Sequence, residues 1–323
     1  MKVFVTGGNG FIGSVVVRSL VHSGHEVTCL LRAHSRTDRI DGLPYTRVLG
    51  DVRDAASLGA AMKHCDATIH LAGLSSWSEI DSPALGEVVE GGTRNILDEA
   101  AKLPGHRVVA VSSATAINGS EEPTVFDETA EFTLTDPKLQ YAHAKRRAEE
   151  LCIAAYRKGV AVIMVNPAEV YGPADDALIT AGNLIDFVKS NPVLVCNGGT
   201  SVVHVADVAA GIVAALEKGK PGERYILGGE NLTIRQLAEL SLQLAGKRAK
   251  IVSMPNGLLR FISKIALKLH IPLPYNPRVI PYATRYWFVD GSKAERDLGV
   301  MFRGARETIQ PTIAWLKEAG LVA

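Results

Sequence analysis

Cysteine is scarce and scattered. Cys29, Cys65, Cys152 and Cys196 are the only four in 323 residues, and no two form a C-x-x-C pair. A disulfide framework or a metal site has no support, and isolated thiols suit a reducing compartment as small buried hydrophobes. Charge of one sign is missing too: 35 Lys plus Arg face 34 Asp plus Glu, for a net charge of +1. Without a basic block there is no electrostatic footprint for nucleic acid. No apolar run reaches the roughly 20 residues that cross a bilayer, so no stable membrane insertion is expected. The nearest approach is 257–270, where Leu258, Leu259, Phe261, Ile262, Ile265, Ala266 and Leu269 form a stripe flanked by Arg260, Lys264 and Lys268. It reads as a helix packed on the core or over a substrate cleft, with an interfacial anchor as the alternative. Met1-Lys2-Val3-Phe4-Val5-Thr6 enters an apolar strand at once, leaving no room for the charged and hydrophobic regions of a secretory signal. The expected location is cytoplasmic.

What is present is a chain 47% apolar and 21% charged, able to bury a sizeable core. Short β-branched runs alternate with segments of helical period through the first half. Strands are expected over 3–6, 26–31, 46–49, 67–71, 108–112 and 160–166, and helices over 10–23, 55–62, 84–101 and 137–158. This is the pattern of a parallel sheet covered by helices. Beyond Asn166 the texture changes, as Pro167, Pro173, Pro192, Pro255, Pro272, Pro274, Pro277 and Pro281 punctuate shorter elements of a second, smaller region.

The first strand runs directly into Gly7-Gly8-Asn9-Gly10-Phe11-Ile12-Gly13, and Ile12, Val15, Val16 and Leu20 continue at helical spacing. Glycines permit a tight turn and close backbone approach, so the N–H groups and positive end of the following helix can face a pyrophosphate. After the second strand, where an acidic residue would accept the ribose hydroxyls of NAD, stands Arg32, followed by Arg36 and Arg39. Guanidinium groups there suit the 2′-phosphate of NADP, although NAD is not excluded. Asp51, ending the third strand, is placed either to accept from an adenine amino group or simply to stabilise a helix N-terminus.

Tyr141 and Lys145 stand four apart, on one face of a helix whose start is signalled by Asp136 as N-cap and Pro137 in the first turn. By chance such a pair arises about 0.4 times in a chain of this composition. Its place gives it weight, because it follows a strand ending Val111-Ser112-Ser113, at the sheet edge where open α/β folds bind ligands. A carbonyl accepting hydride needs a proton. Tyr141 can supply it if the Lys145 ammonium lowers the phenol pKa, while the Ser113 hydroxyl holds the substrate oxygen.

Taken together, Thr6-Gly7-Gly8-Asn9-Gly10-Phe11-Ile12-Gly13, Gly50-Asp51-Val52-Arg53-Asp54, His70-Leu71-Ala72-Gly73, Ser112-Ser113-Ala114-Thr115, Tyr141 with Lys145, Asn166-Pro167-Ala168-Glu169-Val170-Tyr171-Gly172-Pro173 and His204-Val205-Ala206-Asp207-Val208 are similar to the extended short-chain dehydrogenase/reductases over nearly the whole chain. The resemblance implies an α/β fold: a Rossmann doubly wound parallel sheet with a smaller C-terminal substrate-binding domain. It implies a coenzyme domain of 1–166 plus 202–228 and a substrate domain of 167–201 plus 229–323. It also implies catalysis by Ser113, Tyr141 and Lys145, and coenzyme contacts from Gly7, Gly10, Phe11, Ile12, Gly13, Arg32, Arg36, Asp51, Val52, Leu71, Ala72, Gly73, Tyr141, Lys145, Pro167 and Val170. A small-molecule substrate would meet Ser113, Tyr141 and Trp77.

Two branches of the family compete. Sugar epimerases and dehydratases commonly carry an Arg four residues before the His of the His-Val-x-Asp-Val segment, to meet a diphosphate; here that position is Thr200. The chain is closer to the dihydroflavonol-reductase-like branch, which interconverts ketones and secondary alcohols. A cofactor-sensing protein without catalysis should lack the Tyr and Lys pair. One departure stands out: Val89-Glu90-Gly91-Gly92-Thr93 replaces a common Asn-Val-x-Gly-Thr and puts the local helix geometry in question. Relatives dimerise through the helices near 84–101 and 137–158, so a homodimer is compatible with the sequence.

The remaining candidates read as structural. His70 and His204 are expected to be hydrogen-bonders, and His143 a surface residue. Glu121, Glu122, Asp127, Glu128 and Glu131 fall in a connection of some 20 residues, long enough for a lid, with charges that read as a solvated face. The aromatic group Tyr282, Tyr286, Trp287 and Phe288 could line a pocket or fill a core.

Overall fold

Valine and isoleucine runs buried on both faces are the signature of a sheet covered on both sides. In the computed structural model, which describes residues 1–322 except Ser75, Ser78, Pro272 and Pro274, they form seven parallel strands. The prolines expected to punctuate 272 and 274 thus lie outside the described residues. The strand order is Arg224–Leu227, Ala161–Pro167, Arg107–Val111, Ala67–His70, Lys2–Thr6, Glu26–Leu31, Tyr45–Leu49. Successive residues alternate between two cores. Val3, Val5, Ile69 and Val109 pack with Val16, Val17 and Leu20 on one face, and Phe4, Val108 and Ala110 pack with Leu58, Ile96 and Leu97 on the other. The strand expectations hold within a residue or so at each end.

From the Lys2–Thr6 strand the chain winds outward to Glu26–Leu31 and Tyr45–Leu49, then crosses back to Ala67–His70 on the opposite side. The reversal opens a crevice at the carboxyl ends of Lys2–Thr6 and Ala67–His70, the position where such sheets receive ligands. Thr6 and His70 close its floor through Thr6 Oγ1 and His70 Nδ1, 2.8 Å apart.

A smaller sheet, Glu230–Thr233, Gly199–His204, Tyr286–Val289 and Val125–Phe126, is joined by Glu169–Tyr171 and roofs the crevice. Val193–Val195 pairs separately with Ile251–Ser253.

Three local expectations are corrected. The helix that carries Tyr141 and Lys145 runs Gln140–Arg157 and so begins three residues late. Asp136 caps a preceding turn instead, its carboxylate accepting from the Lys138 N–H, while Arg285 Nη2 binds it at 3.1 Å. The helix start is fixed from afar by Tyr282 Oη, which accepts from the Tyr141 N–H. The 84–101 helix is not uniform: Pro83–Gly86 leads into a π-turn at Glu87–Gly91 before Gly92–Ala100. That turn coincides with the unusual Val89–Thr93 segment, and π-turns are an established way to absorb one extra residue in a helix. The long acidic connection is strapped down rather than free. Val125–Phe126 pairs with Tyr286–Val289, and half-buried Glu128 accepts from the Ile226 N–H at 2.8 Å.

Candidate active site

A cavity of about 720 Å³ runs from the glycine-rich turn, across the ends of the central strands, to the aromatic residues of the second region. At its first end Gly7 has φ +72°, and a Cβ there would press on the Leu71 and Ala72 backbone at 2.8 Å. A Cβ on Gly13 would collide with the Gly7 carbonyl. These glycines bring the start of the Phe11–His22 helix against the cavity. Its N-cap, Gly10, offers no side chain, and its first turn holds no acidic residue. An uncapped helix start beside a glycine cradle fits the diphosphate of a dinucleotide, so the residues present fit NAD(P).

Around that end the cavity is walled by Gly10, Phe11, Ile12, Val52, Leu71, Ala72 and Gly73, and further along by Pro167 and Val170. Each was expected from sequence. Arg32 lines the cavity, is exposed, and takes part in no ion pair among the described residues; its backbone N–H donates to Ser35 Oγ. Arg36 does not line it. A two-residue spacing lets Asp38 bind its guanidinium through two contacts of 3.0–3.1 Å, which points the group into solvent. Arg39 is likewise spoken for, pairing with Asp176 at 2.9 Å. Asp51 lines the cavity with its carboxylate clasped by Arg53 at 2.8 and 3.0 Å, and that hydrogen bonding holds its pKa low.

Midway stand the three residues expected to react. Ser113, where the Arg107–Val111 strand leaves the sheet, accepts at Oγ from the Thr115 N–H and from Thr115 Oγ1 at 3.0 Å. Both contacts use lone pairs and leave its own proton to donate elsewhere. Lys145 is buried, with Nζ donating to the Val111 carbonyl at 2.9 Å and lying 5.9 Å from the Tyr141 ring centre. Burial lowers its pKa to about 8. The Tyr141 phenol interacts with Ser113, which pulls its pKa down, but burial prevails and raises it to about 12. The expected depression by lysine is not met in this geometry: the ammonium is committed to a backbone carbonyl and the phenol is desolvated. The phenol is therefore held protonated.

One helical turn beyond Lys145 lies Glu149, 1% exposed. It accepts from Asn166, which also donates to the Ser113 carbonyl at 2.9 Å, and it faces Arg224 at 3.4 Å. Neither Glu149 nor this role of Asn166 was anticipated. The four-residue spacing of Tyr141, Lys145 and Glu149 is the signal that could have found it.

The far end is walled by Trp77, Ile80, Leu259, Ile280, Tyr282 and Trp287. Trp77 meets Tyr282 edge-on at 5.3 Å, and Tyr282 stacks on Trp287 at 5.8 Å. Tyr286 and Phe288 pair with each other away from the cavity. Two further carboxylates line the cavity, Glu169 and Asp186, and sequence reasoning missed both. Glu169 accepts from Tyr171 Oη and Asn183. Thr200 lines the wall, and Arg32 is the only arginine among the described residues that line the cavity.

The expected structural histidines behave as such. His70 is buried and desolvation depresses its pKa to about 3, so it stays neutral. His204 caps a helix, its Nδ1 accepting from the Ala206 N–H. His143 is half-buried rather than on the surface, bonded to the Asp136 carbonyl and edge-on to Phe132. Cys29 and Cys152 are buried and Cys65 and Cys196 half-buried, all four as free thiols.

The model of the NAD-dependent epimerase/dehydratase family matches residues 3–228. The chain belongs to that family. It is an extended short-chain dehydrogenase/reductase with a Rossmann fold, as its motifs implied. A Synechocystis sp. protein bearing a provisional dihydroflavonol 4-reductase name is 31% identical over 99% of this chain and 95% of its own. A 4-hydroxy-2-methyl-3-oxo-4-farnesyl-3,4-dihydroquinoline-1-oxide ketoreductase of Stigmatella aurantiaca is 28% identical over 99% and 97%. Among solved structures, gox2253 is 28% identical, with a TM-score of 0.84 over 100% of this chain and 99% of that one. The Thermus thermophilus UDP-glucose 4-epimerase complex with NAD is 26% identical, with a TM-score of 0.77 over 99% and 100%. No helix among the described residues is long and apolar enough to cross a membrane.

Proposed function

We propose that the protein is an NADP-dependent reductase interconverting a ketone and a secondary alcohol on a largely apolar small molecule. One observation carries the reading. Among the described residues that line the cavity the only cations are Arg32, at the coenzyme end, and Lys145, beside the reacting phenol, while the remaining wall offers aromatic rings, aliphatic chains and two further carboxylates. A nucleotide diphosphate would meet no counter-charge there and would face Glu169 and Asp186. An apolar ketone meets rings it can pack against. The ketoreductase name of one relative supports the same class.

The coenzyme, when bound, supplies the hydride. The chain's own residues do the rest. Tyr141 Oη donates its proton to the oxygen of the carbonyl as charge develops on it, and Ser113 Oγ, whose hydrogen reaches the phenol in the empty site, turns it to the same oxygen when a substrate is bound. Lys145 replaces a solvating water with a fixed charge beside the phenolate that forms. Residues 1–166 plus 202–228 act as the coenzyme domain, and 167–201 plus 229–323 supply the substrate walls. Arg32 supports NADP because its guanidinium, free of ion pairs, stands at the tip of the second strand.

The test is loss of NADPH absorbance against apolar ketones, flavonoids, steroids and nucleotide sugars. Stoichiometric NADPH consumption with an apolar ketone is expected. Turnover of a nucleotide sugar without net coenzyme consumption would replace this reading with an epimerase.

A further inference from the structure

The chain's charge balance hides an asymmetry. Residues 240–289 contain no Asp or Glu at all, yet carry eight Lys and Arg, so the rest of the molecule is net acidic. Arg260, Arg278 and Arg285 are paired with Glu121, Asp81 and Asp136. Lys247, Arg248, Lys250, Lys264 and Lys268 form no ion pair among the described residues.

Within this segment lies the 14-residue helix Asn256–Leu269. Leu259, Ser263 and Ala266 face inward, and Leu259 reaches the substrate cavity. The opposite side is apolar and bare: Leu258 is 48% exposed, Phe261 61%, Ile265 39% and Leu269 62%. At 100° per residue these four fall within an arc of about 80°. Leu267 is exposed as well but stands about 160° round the helix from the stripe, and Ile271 follows just past the helix end, so six of the twelve large exposed hydrophobics among the described residues stand within 14 residues. Lys264 and Lys268, four apart, border the stripe, where their stems can lie along apolar surface and their ammonium groups reach outward.

We propose that this face binds the surface of an anionic phospholipid bilayer, with Phe261, Ile265 and Leu269 in the headgroup boundary and Lys264 and Lys268 against lipid phosphates. Charge complementarity selects that occupant: a bare apolar stripe with unpaired cations and no acid in its segment matches an interfacial helix. The helix is too short to span, so the association is peripheral. Because Leu259 of the same helix lines the cavity, docking sets the substrate end beside the acyl region. This last point rests on the apolar-ketone reading, whereas the docking itself does not.

The experiment is co-sedimentation of the full chain with vesicles of phosphatidylcholine alone or with about one-third phosphatidylglycerol, with light scattering on the free protein. Binding to the mixed vesicles, weakened by salt and at least about tenfold weaker to neutral ones, is expected. Phe261→Ser with Ile265→Ser should abolish binding to both, and Lys264→Glu with Lys268→Glu should remove the anionic preference. Coenzyme binding by each variant reports that it is folded. Wild-type protein that stays in the supernatant with both vesicle types overturns the proposal, as does binding that both pairs of substitutions leave unchanged. A dimer dispersed by the Phe261 and Ile265 substitutions, without vesicle binding, would assign the face to a second copy instead. No step requires turnover, so failure here and failure of the reductase reading are separate results.

Discussion

The two ends of the cavity are built on different principles. The coenzyme end is made of backbone: a left-handed Gly7, a Gly13 with no room for a side chain, and an uncapped helix start, all within a dozen residues of sequence. The substrate end is made of side chains drawn from distant segments, so that Trp77 meets Tyr282 across some two hundred residues. Backbone geometry recognises what every dinucleotide shares, whereas side chains recognise shape. The same fold can therefore keep its coenzyme while its substrate changes.

The sharpest break of that comparison falls at the seam. Tyr141→Phe should lower turnover by about 10²- to 10⁴-fold while NADPH affinity, measured by fluorescence titration, stays within about twofold. Near-normal turnover would remove Tyr141 as the proton donor. Arg32→Asp tests the coenzyme end where a side chain, not the backbone, decides. The ratio of NADP to NAD affinity should fall by about tenfold or more, and an unchanged ratio would take Arg32 out of the 2′-phosphate site. At the other end, Trp77→Ala should raise KM for an apolar ketone by about tenfold with a smaller change in kcat, reshaping selectivity without touching coenzyme binding. Loss of NADPH affinity in that variant would mean that the two ends are not separable.

The smallest effect is one of pH. Lys145, lowered by burial to about 8, is charged below that value and neutral above it, while Tyr141, raised to about 12, stays protonated throughout. For ketone reduction kcat/KM should hold below about pH 8 and decline above it, and Lys145→Arg, which cannot lose its charge in this range, should flatten the decline. A profile of kcat/KM from pH 6 to 10 checks this; a limb that persists in Lys145→Arg would belong to another group.

Much of the fold was legible because its signals are local. Strand positions follow from β-branched runs, and the glycine turn and the Tyr141 and Lys145 pair follow from spacing along one element. What failed involved contacts between elements. Nothing near Asp136 announces that Arg285 would draw it away from the helix start, and nothing near Tyr141 announces Tyr282 Oη on its N–H. Arg36 is the exception, a local miss: Asp38, two residues on in the same segment, takes its guanidinium. The lysine was expected to tune the phenol, but burial, which depends on everything packed around the site, outweighed it.

By itself the amino-acid order determined the layered sheet, the dinucleotide cradle and the face on which phenol and amine stand together, since period and spacing are properties of one segment. Only the folded chain decided which aromatics wall the cavity, that Glu169 and Asp186 face into it, and in which protonation state the phenol rests. Those depend on which distant surfaces meet and how much water their meeting removes, and no single segment carries that information.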